Sequence, residues 1–569
     1  MTLTAWYKEY KKLTSVDLFL ISEQIQKFKN RPLLSLLTPV YNTKTIWLKE
    51  CIDSVLNQIY TNWELCLCDN ASNPETSKIL PEYANKDPRI KIIRLEVNQG
   101  GYGGTNAALD IATGDYIGFL DSDDTLSLHA LYLIAQKLDS NPDANLIYTD
   151  ENIVDAEGAC LLPFFKPDFA PDLLMSEFYM SHLSMYKSEL LKRLRLRESA
   201  GSHDYDVALR AVEIIPIKTI YHIPVLAYNY RQHKESVAFN TESYCIDGAM
   251  NALRGHLERI GRKATVYYDW PHYRVKYHLD EYPHVNICIA SINKNDILIK
   301  CIVKLLSRTN YINYSICLCV TKEVQATIIN RFGSLVKSGK IFFAERAAAL
   351  PFNYSILANS MNAICKGPIL CFLNDDVEPL NYDWLEEMVA QAIHPTTGAV
   401  GAKLLYPNLT YQHVGCVLGI ENTCAHAFKG LPDSEAAYFG RAKLVGNYSM
   451  VTGACLMMRK EIYDEVGGYD LDFQVAYGDV DICLKIIKAG YYNVFTPHAA
   501  MLHLEAYSRG IDNTIEKQQR FIEERQLLID RYGVLLQNDP MYNPNLSLRS
   551  VNFEIAPVEE SRYKKPWLV

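Results

Sequence analysis

Two aspartates two residues apart, Asp121 and Asp123, close an apolar run that reads Tyr-Ile-Gly-Phe-Leu-Asp-Ser-Asp-Asp-Thr from Tyr116 to Thr125. A buried strand that stops in acids delivers carboxylates to the carboxyl edge of a parallel sheet, the edge at which ligands bind in open α/β folds. Carboxylate oxygens suit a hard divalent cation, and such a cation keeps open positions for substrate phosphates. One acidic cluster after a strand is more often a solvated turn or a helix N-cap. The chemical reading gains weight here from a second copy. Phe372-Leu-Asn-Asp-Asp376 repeats Phe119-Leu-Asp-Ser-Asp123, with Asn359 and Gly367 as far upstream as Asn106 and Gly114. Asn42 and residues 64–68 meet Asn293 and residues 315–319, and Asp204-Tyr-Asp-Val-Ala-Leu-Arg210 meets Asp479-Val-Asp-Ile-Cys-Leu-Lys485. The chain is a tandem duplication of one domain, on a length scale of whole domains rather than solenoid units.

The elements that must position these groups alternate. Residues 33–40 read as a strand interrupted by Pro39, 47–58 as a helix, 64–68 as a strand ending at Asp69-Asn-Ala-Ser72, and 89–95 as a third strand. A glycine-rich loop at 98–106 leads into a helix at 107–112, and the acidic strand follows. This rhythm implies a parallel sheet with right-handed crossovers. The glycines do not form Gly-x-Gly-x-x-Gly after the first strand, which disfavours a dinucleotide-binding fold. We divide the chain into a helical lead-in (1–30), a first domain (31–240), a helix-and-strand connector (241–282) firm enough to be no flexible linker, a second domain (283–535) and a C-terminal tail (536–569) of little periodicity. In the lead-in, lysines alternate with Leu18, Leu20, Ile21 and Ile25. That pattern is an amphipathic helix, packed on the first domain or lying on a membrane surface.

Composition narrows the class. A net charge of −9 excludes a generally basic nucleic-acid-binding face. No apolar run is long enough to cross a bilayer, and the first ten residues lack the apolar core of a secretory signal. The 15 cysteines are scattered, several inside strand-like runs (Cys66, Cys68, Cys317, Cys319), as expected of reduced thiols in a cytoplasmic protein. No second Cys pair follows at zinc spacing, so no zinc site is expected at the Cys-x-Cys pairs.

The motifs resemble those of family 2 inverting glycosyltransferases of the GT-A fold, in both halves and over almost the whole chain. The marks in the first half are Pro39-Val-Tyr-Asn42, Asp69-Asn-Ala-Ser72, Leu120-Asp-Ser-Asp123, Phe165-Lys-Pro-Asp168 and Asp204-Tyr-Asp-Val-Ala-Leu-Arg210. In the second they are Phe352-Asn-Tyr-Ser355, Leu373-Asn-Asp-Asp376, Val451-Thr-Gly-Ala-Cys455, Val466-Gly-Gly-Tyr469, Gly478-Asp-Val-Asp481 and Ser508-Arg-Gly510. The chain is especially similar to tandem two-domain enzymes of bacterial polysaccharide and O-antigen synthesis. The resemblance implies an α/β fold class: two tandem nucleotide-diphospho-sugar transferase domains, Rossmann-like, with mostly parallel central sheets. It also implies roles. Asp69 would bond the nucleotide base, Asp121 the ribose or the metal's water shell, and Asp123 a Mn²⁺ or Mg²⁺ ion. Asp204 would be the general base, with His233 as a further metal or diphosphate contact. Pro39, Tyr41, Asn42, Asn106 and Ser122 would complete the first nucleotide-sugar site, and Asn359, Asn374 and Asp375 would serve the second. There Asp376 and His503 would hold metal and Asp479 would be the base. The implied partners are a UDP-, dTDP- or GDP-sugar donor and an oligosaccharide acceptor carried on a lipid. The implied location is cytoplasmic, peripheral to the inner face of the membrane.

The halves differ at one point. Val320-Thr321 stands where the first half has Asp69-Asn70, and Ala290-Ser-Ile-Asn293 faces Pro39-Val-Tyr-Asn42. Either both halves transfer sugars, with Lys322 or Glu323 substituting for the missing acid, or the second half binds the acceptor glycan. A nucleotidyltransferase is disfavoured because no Gly-rich, basic phosphate loop follows the first strand. A purely structural protein would not repeat acids at the same strand and helix ends.

Overall fold

The computed structural model describes residues 2–199, 201–233, 243–269, 271–293, 296–346, 352–505 and 514–568. Two large sheets organise it. The first contains β1 (Leu34–Val40), β2 (Trp63–Asn70), β3 (Ile90–Leu95), β4 (Tyr116–Phe119), β5 (Thr125–Leu126), β6 (Leu146–Val154), β7 (Cys160–Phe164), β8 (Ser184–Lys187) and β9 (Ile220–Arg231). Its order is β3-β2-β1-β4-β8-β6-β9-β5, with β7 beside β6. A hairpin follows, β10 (Ala264–Asp269) with β11 (His272–Tyr277).

The second sheet begins with β12 (Val285–Ser291), β13 (Tyr314–Val320), β14 (Ile341–Ala344), β15 (Ile369–Leu373), β16 (Val377–Pro379), β17 (Thr397–Leu405) and β18 (Tyr411–His413). A separate ribbon pairs β19 (Cys416–Leu418) with β20 (Cys424–His426), and β21 (Gly446–Asn447), β22 (Cys455–Arg459) and β23 (Tyr492–His503) complete the sheet. The order β14-β13-β12-β15-β22-β17-β23-β16, with β18 beside β17, repeats that of the first sheet, and β21 beside β23 is an addition. Both halves therefore have the α/β architecture of the GT-A fold.

The amino-terminal part of each sheet is parallel, β1 lying between β2 and β4 and β12 between β13 and β15. β2 and β13 are buried along their whole length, as a strand covered by helices on both faces must be. One antiparallel strand, β8 or β22, is inserted beside the acidic strand. Gly114 precedes β4 because a Cβ there would stand 2.4 Å from Ser35 Oγ and 2.6 Å from Leu33 O. The turn is tied down by Glu64, which accepts from Ser35 Oγ (2.7 Å), Thr113 Oγ1 (2.8 Å) and the Gly114 amide (3.2 Å).

The glycine-rich stretch corrects the sequence reading. The helix starts at Gly100, not at residue 107, and runs to Ile111, so four of the glycines lie within its first two turns. They permit close approach: a Cβ on Gly104 would stand 3.1 Å from both Pro39 Cβ and Asn70 Nδ2, and one on Gly101 2.8 Å from His203 Cε1. The stretch is a helix pressed onto the carboxyl ends of β1 and β2.

The connector is firm. Leu253 and Leu257 of the helix Ser243–Arg259 join Val266, Val275 and Tyr277 of the hairpin in the apolar core beneath the first sheet. The tail is not a loose extension. A further apolar cluster joins Trp6, Tyr7 and Phe165 to Tyr411, Val417, Phe495, Tyr542 and Phe553, so the lead-in, both halves and the tail share one core. Polar contacts fasten it. Asn447 Nδ2 donates to Asp172 Oδ2 (2.7 Å), Asn543 Nδ2 to Asp150 Oδ2 (2.9 Å), Trp6 Nε1 to Ala556 O (2.8 Å) and Trp567 Nε1 to Asp17 Oδ1 (2.7 Å). In the lead-in helix Ser15–Lys27, Ile21 faces the first core while Val16 and Phe19 are exposed. All 15 cysteines are free thiols, and no helix among the described residues is long and apolar enough to cross a membrane.

Candidate functional site

The first acidic turn, between β4 and β5, gathers Asp121, Ser122, Asp123 and Asp124 at the carboxyl edge of the sheet. His233, just beyond β9, places Nε2 2.9 Å from Asp123 Oδ2. Burial and the neighbouring charge of Asp121 push the Asp123 carboxyl above its ordinary range. Asp124 lies deeper and accepts from Tyr228 OH (2.7 Å) and the Arg231 amide (2.6 Å), which pins β9 to the turn. Ser122 Oγ is 2.6 Å from Thr43 Oγ1.

A second histidine completes this cluster. His182 places Nδ1 2.9 Å from Glu151 Oε2 and Nε2 3.7 Å from Asp121 Oδ2, with its ring stacked on Tyr228 and Tyr230. Glu151 in turn lies 3.5 Å from Nζ of the fully buried Lys166, which donates to His182 O (2.9 Å). Burial opposes a charged imidazole, but the two carboxylates outweigh it and hold the His182 pKa well above normal. The same pairing lowers that of Asp121 against the burial that would raise it.

Asp204 stands in the first turn of the helix His203–Val212, where the helix dipole favours an anion. His203 Nε2 is 3.4 Å from Asp204 Oδ1. Desolvation, with the charge of Asp121, still raises the Asp204 carboxyl, the direction a general base working near neutrality requires. Asp206 and Arg210 pair one turn on (2.7 Å), as do Asp481 and Lys485 in the second half (2.7 Å).

The other sequence-predicted residues are placed unevenly. Tyr41 is exposed and Asn42 has a positive φ of 53°; its Oδ1 accepts the Asn73 amide (2.8 Å). Pro39 packs against Gly104. Asp69 is buried, accepting from the Ser72 amide (2.8 Å) and Ser77 Oγ, with Arg94 Nη1 at 3.5 Å, so it anchors the loop that follows β2. Asn106 spends both ends of its amide on Leu196, donating to its carbonyl (2.9 Å) and accepting its amide (3.1 Å). Asn359 does the same to Tyr469, at 2.8 and 3.2 Å. Each asparagine thus braces the segment that leads to the Asp204 or Asp479 helix.

In the second half Asp376 Oδ1 lies 3.1 Å from His503 Nε2, and His503 Nδ1 is 2.8 Å from Gln412 Oε1. Gln412 Oε1 holds the His503 ring with Nε2 turned toward Asp376. Asp375 accepts from Ser291 Oγ, and Asn374 donates its amide to Ala454 O (3.0 Å). A cavity of about 100 Å³ opens over Asp375, Asp376, Lys300 and Glu378. Asp479, in the first turn of the helix Gly478–Lys488, is held by the amides of Gly453 (2.8 Å) and Val480 (3.0 Å), and burial raises its carboxyl. Val320 ends β13 opposite Ser291, the place that Asp69 holds opposite Val40 one residue before the end of β2. The helix Lys322–Lys337, capped by Thr321, starts at once where the first half has the Asp69–Ser72 turn. The mark Ser508-Arg-Gly510, like Lys234-Glu-Ser236 after His233, lies outside the described residues.

Sequence reasoning missed His182, Glu151 and Tyr228. The signal was partly there: Phe165-Lys-Pro-Asp168 was marked without a role, and its lysine is the group that orders Glu151 and His182.

Comparison with known proteins agrees with this geometry. Residues 35–194 match the family model described as glycosyl transferase family 2. The chain is 39% identical over 545 residues to the uncharacterized protein y4gI of Sinorhizobium fredii, covering 94% of this chain and 60% of that one. It is 34% identical to the O-antigen biosynthesis protein RfbC of Myxococcus xanthus, over 93% of this chain and 41% of RfbC. It is 28% identical to chondroitin synthase of Escherichia coli, over 46% of this chain and 36% of that enzyme. The chain thus spans about 60% and 41% of the lengths of the two relatives that match nearly all of it. The glycosyl transferase family 2 match thus lies on residues 35–194, within the first half of the chain.

Proposed function

We propose that the chain is a metal-dependent inverting glycosyltransferase with two sites, moving sugars from nucleotide-diphosphate donors to a growing bacterial polysaccharide or lipid-linked oligosaccharide. The observation that carries the proposal is the recurrence of one constellation. An aspartate–histidine pair closes the acidic turn of each half, Asp123–His233 at 2.9 Å and Asp376–His503 at 3.1 Å, and an aspartate opens a helix nearby. Asp204 and Asp479 would each take the proton from an acceptor hydroxyl as it attacks the anomeric carbon. Attack opposite the departing diphosphate inverts that carbon, by the geometry of inverting hydrolases. Asp121, kept ionised by His182, would orient the donor's ribose.

The residues fit a divalent cation. Asp123 is crowded by Asp121 and Asp124 under burial that raises its carboxyl, a concentration of negative charge that a cation relieves. In the second half the Gln412–His503–Asp376 chain sets an oriented imidazole nitrogen beside a carboxylate. Asp123 with His233, and Asp376 with His503, would hold Mn²⁺ or Mg²⁺, which supplies Lewis-acid stabilisation of the leaving diphosphate. Asn106 and Asn359 act as positioning residues. Val16 and Phe19 give the lead-in helix an apolar face for membrane contact where the acceptor is lipid-linked.

The second reading makes the first half the transferase and the second an acceptor-glycan binding module. Val320 in place of Asp69 favours it, since no carboxylate closes that strand end. A panel of UDP-, dTDP- and GDP-sugars, assayed for transfer with wild type, Asp204→Asn and Asp479→Asn, separates the two. Loss of a different donor or linkage in each variant supports two active sites. Loss of all transfer in the Asp204 variant and none in the Asp479 variant supports the second reading. Full transfer in both sinks the proposal.

A further inference from the structure

Apart from the two aspartate–histidine pairs, His413, Cys416 and His426 bring three soft ligand atoms together in the second half. The Nδ1 atoms of the histidines are 2.9 Å apart, and Cys416 Sγ lies 3.4 Å from His426 Nδ1 and 3.7 Å from His413 Nδ1. The backbone builds this arrangement. The ribbon register sets Cys416 directly opposite His426, and His413 ends β18, paired with Leu404. Gly415 turns the chain between them at φ 91°, where a Cβ would stand 2.3 Å from the Tyr448 ring. His413 and Cys416 are buried. The spacing His-x-x-Cys followed by a returning histidine is a ligand pattern distinct from the Cys-x-Cys pairs.

The distances suit one ion. Zinc takes nitrogen at about 2.0–2.1 Å and thiolate sulfur at about 2.3 Å, so a tetrahedral site sets nitrogen and sulfur roughly 3.5 Å apart and two nitrogens about 3.3 Å apart. The two observed N···S separations straddle the first value, and the N···N separation falls somewhat short of the second. Two imidazole Nδ1 atoms facing each other share at most one proton between them, and the thiolate beside them is the soft partner that selects zinc over Mg²⁺ or Mn²⁺. Gln412 and His413 are neighbours on β18 and so project to opposite faces, Gln412 toward His503. The cluster is therefore separate from the Asp376–His503 pair.

We propose that His413 Nδ1, Cys416 Sγ and His426 Nδ1 bind one thiophilic divalent cation of the zinc class. The ion would clamp the β19–β20 ribbon to the strand end that precedes it. With the ion on Nδ1 the remaining ring proton of His413 sits on Nε2, so that atom would no longer accept from the Thr452 amide 3.4 Å away. The competing account of the same distances is a metal-free hydrogen bond between the imidazoles, with Thr452 N–H donating to Nε2.

Cobalt separates the two accounts, because a thiolate–Co²⁺ bond gives an intense near-ultraviolet charge-transfer band that oxygen and nitrogen ligands do not. The full chain, without a polyhistidine tag, is dialysed against CoCl₂ and desalted. One such band, saturating at one thiolate-bound cobalt per chain, is expected, reduced at least tenfold in Cys416→Ser and unchanged in Cys424→Ser, since Cys424 lies two ladder steps away opposite Leu418. Absence of the band in wild type, its persistence in Cys416→Ser, or its loss in Cys424→Ser overturns the proposal. Should Cys416→Ser not fold by circular dichroism, His426→Asn is the second variant. An at least tenfold weaker thiolate–cobalt band supports the site, and an undiminished band overturns it.

Discussion

Tyr230 and His503 occupy the same rung of the two sheets. Val377 pairs with His503, whereas Thr125 pairs with Asn229, which sets Tyr230 opposite Asp124, the residue that matches Val377. Yet the histidine that reaches the first half's aspartate is His233, three residues farther along, and Tyr230 instead stacks on His182. The duplicated domains have arrived at one aspartate–histidine contact from two backbone positions. In the second half the histidine sits on a strand and is oriented by Gln412; in the first it lies beyond the strand end.

Removal of Gln412 therefore acts on one site alone. Gln412→Ala should weaken Mn²⁺ binding at Asp376–His503 about 10- to 100-fold, the usual cost of losing the group that orients a metal-binding histidine. Titration followed by electron paramagnetic resonance, in an Asp123→Ala background that silences the first site, measures it. Unchanged affinity would mean that His503 is not a ligand.

The two helix-opening aspartates should behave as bases. Asp204→Asn and Asp479→Asn are each expected to lower kcat for one linkage by about 10²- to 10⁴-fold while leaving donor KM nearly unchanged. A rise in KM with kcat intact would reassign the residue to donor binding.

Asn106→Ala should cost stability and turnover but not donor affinity. It removes two hydrogen bonds to Leu196, a loss of about 1–3 kcal/mol by the usual cost of stranded backbone groups. Denaturation midpoints and donor KM separate this from a nucleotide contact, which would raise KM directly.

Glu64 carries a pH dependence. Burial alone would raise its carboxyl, but hydrogen bonds from Lys91, Thr113 and Ser35 bring it down to about 2 from an ordinary 4.5. A depressed pKa contributes stability that is full above the unfolded value and is lost as pH falls toward the folded one. Glu64→Gln should thus destabilise the chain by about 3 kcal/mol at pH 7. The gap should narrow below pH 4.5 and nearly close by pH 2. Urea melts at pH 7 and pH 3 test the sign; a gap that widens in acid contradicts it.

Much of this was legible in the sequence for a definite reason. The duplication could be read because Asp121–Asp123 and Asn374–Asp376 end apolar strands at equal distances from a matching asparagine and glycine, and both strands hold the same place in their sheets. The helix acids Asp204 and Asp479 were visible as charges at the head of an apolar period. What stayed hidden depends on distant pairing. His182 stands next to Asp121 only because β8 inserts antiparallel beside β4, and a local pattern carries no trace of that. The glycines at 100–104 suggested a loop, because propensity disfavours glycine in helices; contact with Pro39, Asn70 and His203 overrides it. Asn106 and Asn359 were correctly matched to each other, but sequence does not reveal which way an amide faces.

The tail has a consequence for biosynthesis. Residues 539–568 supply partners to groups laid down hundreds of residues earlier: Asn543 to Asp150, Ala556 to Trp6 and Trp567 to Asp17. Domains fold as they leave the ribosome, amino-terminal first. The first domain must therefore emerge with Trp6, Tyr7 and Asp150 lacking their final neighbours, and it waits in that state while the second domain is translated. Its last side chains are seated only after residues 543–567 have left the ribosome. A ribosome stalled before residue 539 would display a first domain with an open apolar seam, a ready target for chaperones and proteases.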